Sequence, residues 1–107
     1  MRPNGYLLPH IDPDLVLVEV ARGFNLDVEE MMSGSKAKPL VTARACAITV
    51  LGEMTTLSIR WIADLFALDH TTVVHHMRSV RADPERFAAV RMVIDELSSR
   101  DSQREAS

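Results

Sequence analysis

Cysteine occurs once, at Cys46. A single thiol cannot close an internal disulfide, and no neighbouring group in the sequence would lower its pKa, so Cys46 reads as a core side chain and not as a nucleophile. No run of about 18 apolar residues is present, which excludes a membrane-spanning helix. The first residues lack the apolar segment of a signal peptide, because Tyr6-Leu7-Leu8 is stopped at once by Pro9. Together these absences point to the cytoplasm. There is no G-x-x-x-x-G-K-[ST] phosphate loop, and Gly34-Ser35-Lys36 is too short to cradle a phosphate. His70, His75 and His76 stand at i, i+5 and i+6, a spacing that does not gather three imidazoles on one helix face. The sequence therefore implies no enzyme, no metal and no cofactor.

What is present suits one small folded domain. The chain has 107 residues, 47% of them hydrophobic and 25% charged, a balance that supports a core and opposes disorder. The formal net charge is −3, which taken alone argues against a nucleic-acid partner. Its distribution is uneven. Residues 1–33 carry two basic and six acidic side chains. Residues 34–81 carry Lys36, Lys38, Arg44, Arg60, Arg78 and Arg81 against Glu53, Asp64 and Asp69. Residues 82–107 are again net acidic. A basic middle between acidic ends is the charge pattern of a local DNA footprint.

Pro3, Gly5 and Pro9 mark residues 1–12 as an irregular arm. Asp12-Pro13-Asp14 then reads as a cap and first turn, and Leu17, Val20, Ala21 and Phe24 recur at helical spacing up to a stop at Gly23. Asn25 to Met32 reads as one short helical turn, with Glu29-Glu30 on a solvated face. Ser33 to Pro39 is a basic loop by composition. A helix from about Leu40 to Gly52 follows. Ser58 caps a short helix over 59–66, with Ile59, Ile62 and Phe66 inward. Trp61 lies off that stripe and reads as half-buried against the first helix, with an exposed partner contact as the alternative. Ala67-Leu68 is a tight turn, and Asp69 caps a helix running to Arg81, with Val73, Met77 and Val80 inward. Asp83-Pro84 starts a last helix carrying Phe87, Val90, Val93, Ile94 and Leu97. Ser98 to Ser107 reads as a polar, flexible tail. The expected fold is all-α, five or six helices around a helix-turn-helix core that fills residues 13–97.

Two short helices joined by a tight turn, the second opening on an exposed polar turn, are the outline of a helix-turn-helix. The second helix would enter the major groove with Asp69-His70-Thr71-Thr72 foremost. Threonine can hydrogen-bond base edges and lay its methyl against that of thymine, and neutral histidine can donate to a base or phosphate. Asp69 would face phosphates unfavourably, so its role is to cap the helix by accepting the N–H of Thr71 or Thr72.

The stretch from Leu57 to Val80, LSIRWIADLFALDHTTVVHHMRSV, closely resembles the C-terminal DNA-binding domain (domain IV) of bacterial DnaA replication initiators. The match centres on Asp69-His70-Thr71-Thr72-Val73 followed by His75. It extends back through Phe66 and Ile62 to Arg44 and the loop at Lys36 and Lys38, forward to the last helix, and covers most of residues 13–97. The resemblance implies a Trp-repressor-like helix-turn-helix fold of bacterial or phage origin. It also implies a nucleoid-associated role on A·T-rich, DnaA-box-like duplex sites. Residue by residue, it implies minor-groove contact from Lys36 with Lys38 beside it, phosphate or base contact from Arg44, and base readout by His70, Thr71 and Thr72; Arg78 joins the DNA-binding set.

The sequence departs from the family in four places. A Gly-Gly-Arg turn before the aspartate is replaced by the shorter Ala67-Leu68, the arginine-rich loop keeps only two lysines, a glutamine after Arg44 is Ala45, and a later basic position is Gly52. A lysine is a poorer minor-groove probe than arginine. Weaker or altered DNA recognition is the expected result.

The leading reading is a DNA-binding module standing alone, with double-stranded DNA and a replication protein as partners and no membrane. It would modulate replication initiation by competing with the initiator, or regulate transcription. The alternative is a protein-interaction adaptor that keeps the fold, binds through its acidic first helix and has weak or lost DNA affinity. A transposase-type domain is disfavoured, because no catalytic His/Tyr or acidic cluster accompanies the motif. With no phosphate loop, the chain should not bind ATP. Isothermal titration calorimetry should show no saturable heat at sub-millimolar nucleotide, and a saturable isotherm would refute this reading.

Overall fold

Where proline, a short polar cap and apolar residues at helical spacing coincide, the chain turns into helix. A computed structural model describes residues 11–106, with side chains through residue 100. The arm expected over 1–12 therefore lies mostly outside the described residues. Six helices follow in order: α1 (Pro13–Gly23), α2 (Val28–Met31), α3 (Lys38–Met54), α4 (Ile59–Phe66), α5 (His70–Arg81) and α6 (Pro84–Ala106), and no strand is present among the described residues.

The buried faces follow the apolar spacing. Val16, Leu17, Val20 and Ala21 of α1 are in the core, as are Ile62, Ala63 and Phe66 of α4 and Val73, Met77 and Val80 of α5; Val90, Ile94 and Leu97 of α6 complete it. α3 is the exception to a one-sided pattern, because it touches every other helix. Its residues Ala45 to Leu51 are buried without a break, as a helix enclosed by neighbours requires. Cys46 is one of them, and burial pushes its thiol up to about 11, so it stays protonated.

Several boundaries and placements differ from the sequence reading, each for a local or tertiary reason. α1 ends at Gly23 as its spacing indicates, but the left-handed residue that closes it is Asn25, at φ 58°. Leu26 N–H donates to Ala21 O at 2.8 Å and Asn25 N–H to Arg22 O at 3.1 Å, a Schellman closure with Asn25 in the usual glycine position. α3 begins at Lys38, because Pro39 is preorganised for a first turn. It also runs through Gly52 to Met54. A Cβ on Gly52 would lie 2.0 Å from Met77 Cε, so the glycine makes room for α5 and does not end the helix. Trp61 does not rest on α1. α4 packs on α3 and α5 only, and the indole is 42% exposed. Ala45, read from the resemblance as a lost surface contact, is a core residue. Finally, α6 remains helical to Ala106 through the stretch read as a flexible tail. Arg100 pairs with Glu96 one turn back at 2.9 Å and with Glu19 of α1 at 2.6 Å, tying this end of α6 to the body.

The turn after α4 repeats the closure seen after α1. Leu68 N–H donates to Ala63 O at 2.9 Å and Ala67 N–H to Asp64 O at 3.2 Å, with Ala67 left-handed at φ 55°. An alanine Cβ is disfavoured in that region, whereas glycine is not. Ala67→Gly should therefore raise the unfolding free energy by roughly 1 kcal/mol, the relief of strain being partly offset by the entropy of the unfolded glycine. Urea unfolding followed by circular dichroism measures it, and an unchanged or lower midpoint would show that the turn carries no such strain.

Candidate nucleic-acid interface

Side-chain caps fix the start of both helices of the helix-turn-helix. Ser58 Oγ accepts the Trp61 N–H at 3.0 Å at the head of α4, and Asp69 Oδ1 accepts the Thr72 N–H at 2.8 Å at the head of α5. The turn between them, Ala67-Leu68-Asp69, is three residues long. It is anchored by Leu68, which packs against the core.

On α5 the core stripe of Val73, Met77 and Val80 leaves His70, Thr71, His75 and Arg78 exposed. Thr72 is half-buried and turned toward Asp69: its amide, and after it its hydroxyl, hold the Asp69 carboxyl below its usual range. Of the residues at the head of this helix, His70 and Thr71 are thus the ones that face outward, and Thr72 serves the cap. His76, one residue beyond His75, lies half-buried with its ring centroid 6.3 Å from that of His75. Burial, and then the charges of His75, Arg44 and Arg86, push His76 down, so it is neutral at physiological pH.

The basic loop lies beside this turn. A cleft of about 430 Å³ is walled on one side by Ser33, Gly34 and Lys36 and on the other by Phe66, Leu68 and His76. The loop and the turn of the helix-turn-helix, distant in sequence, therefore form one continuous surface. Serine hydroxyls brace the loop: Ser33 Oγ donates to Glu30 O at 2.8 Å and accepts from Ser35 N–H at 3.4 Å, and Ser35 Oγ accepts from Ala37 N–H at 3.1 Å. Lys36 projects from this loop and Lys38 from the first turn of α3, both exposed.

Arg44 departs most from expectation. One terminal nitrogen of its guanidinium donates to Met31 O at 2.9 Å and to Ser33 O at 2.7 Å, and the other donates to Ser35 O. The side chain bonds the loop's carbonyls from the wall of the cleft; no sequence periodicity could have shown this, since the partners are 9 to 13 residues away. Arg81 is also engaged, with Glu53 of α3. Lys36, Lys38, Arg60 and Arg78 are exposed and make no ion pair among the described residues. Arg78 and Arg81 border a second groove with Gly52, Leu57 and Ile59, where the methyl of Met77 fills the space above the glycine. No group of three or more metal-ligating side chains occurs among the described residues, nor does any helix long and apolar enough to cross a membrane.

A capped reading helix, a tight left-handed turn before it and a basic loop alongside define a helix-turn-helix DNA-binding domain. The chain belongs to the bacterial DnaA protein helix-turn-helix family, which matches residues 13–80, α1 to the last turn of α5. The match ends before α6. The chain is similar to the chromosomal replication initiator protein DnaA of Cutibacterium acnes, 37% identical over 81 residues that make up 75% of this chain and 16% of that protein. It thus corresponds to a small part of the initiator's length.

The Asp69 cap carries a pH signature. Because folding lowers its pKa, its contribution is complete above the ordinary carboxylate range, about pH 4, and is lost as pH falls through the folded value. Glu19, also lowered, by its bond to Arg100, adds to the same acid limb. Asp69→Asn keeps a capping oxygen but cannot titrate. Its melting temperature should stay near wild type at pH 7 and fall less steeply below pH 4, as thermal denaturation across pH would record. A parallel acid limb in both proteins would show that the carboxylate adds nothing beyond an amide.

Proposed function

We propose that this domain binds DnaA-box-like duplex DNA, with α5 in the major groove and the basic loop in the adjacent minor groove, and thereby modulates replication initiation or transcription. The observation that supports the reading is the cleft that sets the loop, with Lys36, against the turn of the helix-turn-helix at Ala67 and Leu68, the turn that leads into the exposed His70 and Thr71. His70 and Thr71 would read base edges, and Thr72 would act chiefly by holding Asp69. Lys36 and Lys38 would enter the minor groove or meet phosphates, and Arg60 and Arg78 would meet phosphates. Competition with the initiator for shared sites is the simplest mode of action, because the family match contains the reading helix.

The alternative, a protein adaptor, has its own surface. Leu15 and Val18 of α1 are 37% and 47% exposed near Asp12 and Asp14. A replication protein is the partner class either reading would serve. Binding tests separate them. With Lys36, Lys38, Arg60 and Arg78 each contributing about −0.9, the slope of log affinity against log salt should be roughly −3 to −4, with a dissociation constant of about micromolar at physiological salt. Lys36→Ala should weaken binding to box and scrambled duplexes alike, whereas Thr71→Ala should cost about 1–3 kcal/mol on the box and relax the preference for it. Fluorescence anisotropy at several salt concentrations measures both. Absence of binding to either duplex at low salt would sink the DNA reading and favour the adaptor.

A further inference from the structure

We infer that Arg44 is a positioning residue: from the wall of the cleft that it shares with Lys36 it binds three carbonyls of the Met31–Ser35 segment, and it thereby sets where Lys36 stands instead of serving chiefly as a phosphate contact. This rests on the DNA-binding reading for its consequence, but its premise belongs to the protein without DNA. The loop is exposed from Ser33 through Ala37 and contributes nothing to the core. A segment of that kind is ordinarily among the first to open. Here three carbonyls, of Met31, Ser33 and Ser35, converge on one guanidinium. Met31 O lies at the C-terminal end of α2, where a cation also meets the negative end of the helix.

The planar fork of arginine, with five N–H donors in fixed geometry, can satisfy three oxygens at once, whereas a lysine ammonium on a flexible stem cannot hold the same arrangement. Both hydrogens of one terminal nitrogen are taken by Met31 O and Ser33 O, which removes that nitrogen from phosphate binding. The half-buried side chain is rooted on α3, the helix against which α4 and α5 also pack. Arg44 thus fixes the loop to the same body that carries the reading helix, and the separation of Lys36 from His70 and Thr71 becomes a property of the fold.

The test uses the full chain with Arg44→Lys, Arg44→Ala, Lys36→Ala and the Arg44→Ala/Lys36→Ala double variant. In the protein alone, amide hydrogen exchange across Ser33–Ala37 should speed up by about tenfold or more in both Arg44 variants, while the helices keep their protection. On a DnaA-box duplex, Arg44→Ala should weaken binding by about tenfold, Arg44→Lys should not restore it although the charge is kept, and the double variant should be no weaker than Arg44→Ala. Unchanged loop exchange would overturn the inference, as would recovery of affinity by Arg44→Lys or additive losses in the double variant, which mark a direct phosphate contact. Faster loop exchange with no duplex bound by any variant, wild type included, would overturn the DNA reading and leave the hold of Arg44 on the loop standing.

Discussion

Everything in this domain depends on the enclosure of α3. A helix with neighbours on all sides must be apolar around its circumference and small where another backbone comes close. α3 meets these demands with Ala43, Ala45, Cys46 and Ala47 in its middle, while Gly52 leaves space for the tip of the Met77 side chain. Because α4 and α5 both rest on it, the crossing of the helix-turn-helix is set by packing, not by the three-residue turn alone. Because Arg44 also leaves from it, the loop inherits the same frame. A volume change in α3 would therefore be felt at both elements that face outward, although none of its buried residues is near the surface.

The departures from the DnaA family take on physical meaning against that core. Ala67 keeps a left-handed turn that glycine would adopt without strain, and Leu68 compensates by anchoring the turn to the core. Gly52 leaves space for the tip of Met77, and Arg78 and Arg81 line the same groove. Among the described residues the exposed cations outside ion pairs are few, and Arg44 spends its guanidinium on carbonyls of the loop. An acidic protein with this surface is suited to modest, salt-sensitive association.

Stability and surface chemistry are divided along the chain. α1 is bound to α6 through Glu19, which accepts from Arg100, while Arg22 pairs with the same carboxylate within α1. The central segment carries the exposed positive charge. α6, which lies beyond the family match, packs on α1, α3 and α5 and extends the core with Val90, Ile94 and Leu97.

The sequence by itself determined the helix order, the core stripes of α1, α4, α5 and α6, and the caps at Asp12, Ser58 and Asp69. These depend on spacing and on backbone groups a few residues away, so they are legible locally. It also marked the Asp69–Val73 segment as the head of a reading helix. Tertiary structure decided the rest. Gly52 stands inside α3 beneath the tip of Met77, Trp61 is exposed because α4 packs on α3 and α5 and not on α1, and Arg100 of α6 pairs with Glu19 of α1. It decided, too, that Thr72 turns to its cap and that Arg44 holds the loop. Each of these outcomes depends on which groups meet across the fold or compete for one partner, and residue type and periodicity carry no record of that.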